Sequence, residues 1–463
     1  MQEIQTEVAI IGAGSAGIRA FQSVTKLGGH AVLIEGGEYG TTCARVGCMP
    51  SKLLIAAAEA AHSPKHADEF GISIPEVKVD GQKVMQRVKN LRDRFAGSAA
   101  QGTLAIDESK RLRGWAKFVD RNTLLVDDKY KVSARSIVIA SGSRPAILPI
   151  FKDLGDRLIV NDDVFSWDDL PESVVVFGPG IIGLEIGQAL HRLGVRIRMF
   201  GIQGLIGPLT DADIKARAEA IFGNEFPLDT DAQVESVSRD GNSVLVRYKS
   251  RDAEGNITGQ VAEERFDYVL AATGRRPNID NLNIEATGLP LDASGIPLFD
   301  RNTMQCSDSN IFIAGDANND LPLLHEASDE GLIAGRNAYN FPNINEGQRT
   351  VPLSVVFTDP QIAMVGKSRE QLEAAATADD KQAFAVGELH FSKLPRARMM
   401  GDNKGLLRLY AKREDGTLLG AEMIGPKAEH FAHLLAWSMG NNMTASQMLD
   451  QPFYHPVYEE GLR

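Results

Sequence analysis

Two stretches of this chain repeat one pattern, an apolar run, a glycine-rich turn and the start of a helix, and that repetition constrains the fold more than any other feature. Residues 8–20 read VAIIGAGSAGIRA and residues 174–190 read VVVFGPGIIGLEIGQAL. A nearly continuous apolar strand belongs in a parallel sheet covered by helices on both faces. Each turn spaces its glycines as G-x-G-x-x-G, at Gly12, Gly14 and Gly17 and again at Gly178, Gly180 and Gly183. The first glycine permits a tight turn, the second lets backbone approach a pyrophosphate, and the third allows close helix–strand packing. Downstream of each turn lies a second strand-plus-glycine segment, IVIASGSRP with Gly142 and YVLAATGRRPN with Gly274. The duplication predicts an α/β fold with two Rossmann-like dinucleotide-binding domains. From about residue 345 the texture changes: LLRLYAK and LLGAEMIG flank a Glu414-Asp415-Gly416 turn, which suits a hairpin, and the helix-like AEHFAHLLAWSMG follows. A C-terminal α+β domain is expected there.

Size and composition leave room for this plan. A chain of 463 residues exceeds what one core usually supports, so several domains are expected. A net charge of −12 disfavours nucleic acid, whose phosphates call for clustered Lys and Arg. The N-terminal apolar run has no basic stretch before it and continues into glycines, so it reads as a buried strand and not a signal peptide. No stretch approaches the roughly 18 apolar residues of a membrane helix. With three cysteines only, a secreted disulfide scaffold is excluded and a cytoplasmic setting is expected.

The first turn carries a further mark of a dinucleotide site. Glu35 ends the next apolar strand, AVLIE, where an acid hydrogen-bonds a ribose hydroxyl. The second turn lacks that mark: RIRMF runs into Gly201, and neither Ile202 nor Gln203 is an arginine that would hold a 2′-phosphate. Arg196 and Arg198 lie within that strand, so NADP stays open beside NAD. Two such sites in one chain suggest a flavin dinucleotide exchanging hydride with a nicotinamide.

Cys43 and Cys48 follow the Glu35 strand in TTCARVGCMPSK. Five residues apart, they can close a disulfide if the backbone bends. They can also be two buried thiols. A metal site is disfavoured because no second Cys/His pair completes a tetrahedral set. Gly47 and Pro50 favour an irregular, accessible segment and hence redox chemistry. Cys306, isolated in sequence, reads as structural. Lys52 follows the pair and would supply a fixed cation. At the other end, His455-Pro456 precedes Glu459 and Glu460. A histidine of near-neutral pKa is a natural proton acceptor for a thiol, and a carboxylate would fix its tautomer.

These residues resemble the class I pyridine nucleotide–disulfide oxidoreductases, over essentially the whole chain, and among them most closely the dihydrolipoamide dehydrogenases. TTCARVGCMPSK is similar to the family's redox motif, IFIAGDA (with Asp316) to its second flavin motif, LLHEASDEG (with His325) to the helix start that meets the flavin ring, and YHPVYEE to its terminal His-Pro motif. The resemblance implies an FAD domain over residues 1–150, an NAD domain over 151–277, a central domain over 278–345 that completes the FAD site, and an interface domain over 346–463. It implies Cys43 as the thiol facing substrate and Cys48 as the one facing the flavin. It makes His455 the base, oriented by Glu460, and Lys52 and Glu185 an ion pair near the flavin. FAD would be held through Gly12, Gly14, Gly17, Glu35, Thr42 and Lys52, and also through Ala116, Ser141, Gly142, Asp316 and His325. The nicotinamide dinucleotide would lie on Gly178, Gly180, Gly183 and Gly274. A homodimer is implied, with His455 reaching the other subunit's cysteines, and a small dithiol or disulfide substrate, including lipoyl groups of a larger complex.

Departures from the family pattern temper this expectation. Gly40-Thr41-Thr42-Cys43 replaces G-G-T-C, a mild change, and Phe453 and Val457 replace a usual histidine and threonine of the substrate channel. Gly183 resembles the NAD users of the family. The alternatives are a reductase of another low-molecular-weight disulfide and, from a different class, a redox sensor that binds nucleotide without turnover.

Overall fold

The computed structural model describes residues 1–252, 255–376 and 384–463. The chain divides into two compact units. The first comprises Met1–Pro50, Lys89–Ala146 and Arg275–Arg349, the second Ser51–Val88, Ile147–Gly274 and Thr350–Arg463.

In the first unit the strands Arg111–Arg113, Ala31–Glu35, Gln2–Ile11 and Tyr130–Ile139 lie side by side and parallel. Tyr130–Ile139 serves two neighbours in turn. Its first half pairs antiparallel with Thr123–Val126, and its second half pairs parallel with Ile311–Ile313. Its inner residues Ile137, Val138 and Ile139 are fully buried, as expected for a strand covered on both faces. The helices Ser15–Lys26 and Leu324–Asn340 contribute Ala20, Phe21, Ala334 and Ala338 to the core on one side. Cys306 is buried in the core on the other side, where burial pushes its thiol pKa far up and leaves it chemically quiet.

In the second unit a parallel sheet runs in the order Leu228–Asp229, Arg196–Phe200, Ser173–Phe177, Tyr268–Ala271, Leu158–Ile159. A three-stranded antiparallel sheet, Val234–Asp240, Ser243–Arg251 and Ile257–Phe266, is inserted between two of its strands. The C-terminal part is a five-stranded antiparallel sheet. In it Leu406–Lys412 and Leu418–Gly425 form the hairpin read from the sequence, and Ala428–Gly440 is the helix that packs on it.

Candidate active site

The two glycine turns are copies in three dimensions. Gly12 and Gly178 have φ of +105° and +104°, a conformation that glycine adopts without strain. A Cβ on Gly12 would come 2.2 Å from Ala140 O, and one on Gly178 would come 2.3 Å from Ala272 O. Gly14 and Gly180 share φ −77° and ψ −172° as the caps of the helices Ser15–Lys26 and Ile181–Arg192. Open space lies beside each of them, where a phosphate can approach backbone N–H groups. The third glycines close the turns: a Cβ on Gly17 or Gly183 would meet Gly12 O or Gly178 O within 2 Å.

The first turn fits a flavin dinucleotide. Glu35 Oε2 accepts from Ala13 N–H at 2.8 Å and its Oε1 from Gly37 N–H at 2.7 Å, which sets the carboxylate beside the turn. Ser141 Oγ, at the neighbouring strand end, is buried without a hydrogen-bond partner among the described residues, and such a hydroxyl suits a polar ligand atom. Asp316 Oδ2 accepts from Ser143 Oγ at 2.6 Å, and Ser143 Oγ accepts from Arg275 Nε at 2.8 Å. Behind Asp316, Glu330 is fully buried and accepts from Gly315 N–H and Asn318 Nδ2, with Arg349 2.9 Å away. Burial raises its pKa despite those partners. Ser143, Arg275, Glu330 and Arg349 were not singled out from the sequence. Only Glu326 and Glu330, four apart on the buried face of one helix, left a signal there.

Cys43 sits half-buried in the short helix Thr42–Val46, and Cys48 is exposed as the first residue of the helix Cys48–His62. Gly47 makes the turn between them tight, because a Cβ there would lie 3.1 Å from Cys43 Cα. A thiolate at a helix start is favoured by the positive end of the helix dipole. Thr41 caps the first helix by accepting from Ala44 N–H at 3.3 Å. Its φ of +59° with ψ of +149° is a glycine conformation occupied by a β-branched residue. A threonine in place of the usual glycine is therefore not a mild change, since its Cβ bears the strain of this conformation.

Lys52 Nζ lies 2.7 Å from Glu185 Oε2 and 2.9 Å from Oε1. Phe357, unremarked in the sequence, holds both partners: its N–H donates to Glu185 Oε1 at 3.0 Å, and its ring lies 4.7 Å below the ammonium. In the tail, His455 Nδ1 is 2.9 Å from Glu460 Oε2. A carboxylate only accepts, so Nδ1–H is the donor in this contact. Phe453 and Val457 line a cavity of about 750 Å³ with Leu434, Trp437 and Met448.

The remaining residues named from the sequence fall as follows. Ala116 begins the strand Ala116–Asp120 and is buried. Gly142 and Gly274 have φ of +71° and +105° beside open space. His325 is half-exposed, near the start of Leu324–Asn340. Arg196 and Arg198 are both drawn to Glu264, at 3.4 and 2.6 Å, and stack on Phe266 and Tyr248. Among the described residues no group of three His, Cys, Asp or Glu is placed to hold a metal, and no helix is long and apolar enough to cross a membrane.

A family model described as pyridine nucleotide-disulphide oxidoreductase matches residues 6–331, and one for that family's dimerisation domain matches residues 352–463. The chain is 30% identical over 470 residues to a dihydrolipoyl dehydrogenase of Geobacillus stearothermophilus, covering 99% of this chain and 94% of that one. It is 29% identical over 461 residues to a dihydrolipoyl dehydrogenase of Bacillus subtilis, covering 98% and 96%. Among solved structures, the HOCl-induced flavoprotein disulfide reductase RclA of Escherichia coli superposes with a TM-score of 0.80 at 23% identity, covering 99% and 98% of the two chains. LpdA of Mycobacterium tuberculosis superposes with a TM-score of 0.81 at 24% identity, covering 99% and 98%. Those two likenesses are of fold. The family match, extending over both glycine cradles, the cysteine segment and the His455 tail, shows that the chain belongs to the pyridine nucleotide–disulphide oxidoreductases, enzymes that work with FAD and NAD(H).

Proposed function

We propose that this oxidoreductase is a dihydrolipoamide dehydrogenase, oxidising dihydrolipoamide or the lipoyl groups of a larger complex with NAD. The observation that carries the reading is the His455–Glu460 pair, which leaves Nε2 free as a base in a chain that also keeps Cys43 and Cys48. Support comes from the curated relatives at about this level of identity over nearly the full chain.

In the proposed cycle His455 Nε2 takes the proton of a substrate thiol. The resulting thiolate attacks Cys43 Sγ of a Cys43–Cys48 disulfide, forming a mixed disulfide and releasing Cys48 as a thiolate. The second substrate thiol attacks the substrate sulfur of that mixed disulfide, so the product leaves as a cyclic disulfide and Cys43 is freed. The helix start at Cys48 favours the thiolate left there. Bound FAD would accept the electron pair from the dithiol and deliver it as hydride to NAD. On this reading residues 1–150 and 278–345 hold FAD, 151–277 hold NAD, and 346–463 form a homodimer in which His455 of one subunit serves the cysteines of the other.

The apolar cavity beside the tail, with Phe453 and Val457 in its wall, favours as second reading a reductase of another small disulfide. The test is NAD-dependent oxidation of dihydrolipoamide by the purified holoenzyme. Rapid turnover supports the first reading. Absence of turnover, with flavin still bleached by NADH, supports the second.

A further inference from the structure

The structure assigns to Asp231 the recognition of the nicotinamide dinucleotide's adenosine ribose, a task that the end of the preceding strand has lost. This deepens the reading of the second glycine turn as the coenzyme site.

The loss can be located by register. In the first cradle Ile11 pairs with Ile34, and in the second Phe177 pairs with Phe200. Gly12 N–H donates to Ile34 O and Gly178 N–H to Phe200 O, each at 2.8 Å. Gly201 therefore stands where Glu35 stands, and Pro179 where Ala13 stands. Ala13 supplies the N–H that holds the Glu35 carboxylate. Pro179 has no N–H, and its ring would lie 2.6 Å from a Cβ on residue 201. One residue thus removes both the anchor and the space of a strand-end acid.

A carboxylate reaches the same loop from the next strand. Leu228–Asp229 pairs with Met199 and Phe200, and the chain beyond it continues alongside the turn: Gly201 N–H donates to Asp229 O, Gly204 N–H to Thr230 O, and Ala232 N–H to Gly201 O. Asp231 is exposed there. Its Oδ1 accepts from Gln203 N–H at 2.9 Å, and its Oδ2 accepts no hydrogen bond among the described residues. That oxygen is available to a ribose hydroxyl, as the acid of such a cradle must be.

No cation competes. Arg196, at the far end of the strand, and Arg198, at its middle, are both ion-paired with Glu264. Arg251 is close, but three of its five N–H groups bond Asp229 Oδ2, Gly255 O and Asp231 O, so it is committed to the loop and fixes the Asp231 backbone. A 2′-phosphate would meet the exposed Asp231 carboxylate, which repels it.

The experiment is rapid-mixing reduction of the flavin in the holoenzyme by NADH and by NADPH, with no thiol or disulfide present, so that an error in the assigned substrate leaves it untouched. The native enzyme should favour NADH. Asp231→Asn should weaken the apparent Kd for NADH about 10- to 100-fold, the effect of losing a charged hydrogen bond, and narrow the preference over NADPH. Asp231→Glu should recover part of both. An unchanged NADH Kd in Asp231→Asn, or equal use of NADPH by the native enzyme, overturns the assignment.

Discussion

Replacing Thr41 by glycine should tighten the segment that carries Cys43. At φ +59° and ψ +149° this residue occupies ground that is almost reserved for glycine, at a strain of about 1–3 kcal/mol for other residues. Two terms oppose the gain. The threonine hydroxyl caps Ala44 N–H at 3.3 Å, and exchanging such a cap for glycine costs only a few tenths of ~1 kcal/mol. The added freedom of glycine in the open chain costs about 0.5–1 kcal/mol. The balance favours glycine by about 1 kcal/mol, or roughly fivefold in a local opening equilibrium. Thr41→Ala removes the cap but keeps a Cβ in the strained region, so it should lose about 1 kcal/mol. A chain of this size does not unfold in one step, so a global melt would blur the effect. Amide hydrogen exchange in the helix Thr42–Val46 of the holoenzyme reports it directly. Exchange should slow about fivefold in Thr41→Gly and quicken about fivefold in Thr41→Ala. If the glycine variant exchanges as fast as the alanine variant, Thr41 carries no strain and the argument fails.

Three further outcomes are expected. His455→Ala should slow dihydrolipoamide oxidation about 10²- to 10⁴-fold, the range of general acid–base catalysis, and steady-state rates that match the native enzyme would move the base elsewhere. His62, held at a pKa of about 4 mainly by burial, should make the protein less stable as pH falls from about 6.5 towards 4, because only the unfolded chain takes up that proton readily. His62→Gln should flatten that slope in melting temperatures taken across the window, and an equally steep slope would assign the acid sensitivity to other groups. Gly201→Glu alone should disturb the second turn, whereas Gly201→Glu with Pro179→Ala should restore NADH affinity to Asp231→Asn; failure of that rescue in NADH titrations would count against the steric account of Gly201.

What could be read from the sequence was what depends on local backbone demand. The glycines of both turns, the Asp415-Gly416 hairpin and the helix Ala428–Gly440 are set by neighbours a few residues away, and they stand where the pattern put them. Lys52 and Glu185 are 133 residues apart, so spacing says nothing of their ion pair, and only the resemblance suggested it. Phe357 escaped notice because it acts partly through a backbone N–H, which every residue but proline owns. The buried Arg192, which bonds Glu225 and Asp359, was hidden for a related reason: long polar side chains look like surface until a fold encloses them. The three-stranded sheet inserted after Asp229 was missed although Val244, Val246 and Tyr248 alternate inward along its middle strand. Gly201 announced a missing acid, but that Pro179 forbids one became visible only when both residues shared a turn.

The two cradles also differ in how long each should keep what it holds. The first has a carboxylate already clamped by two backbone amides, so little ordering remains when a ligand arrives. The second has a proline where that clamp would be and an exposed side chain on the next strand. A resident group and a visitor can thus be accommodated by one repeated scaffold, with dissociation rate as the property that separates the copies. On the proposed assignment of flavin to the first cradle and nicotinamide to the second, that asymmetry gives the first cradle the slower release of its ligand.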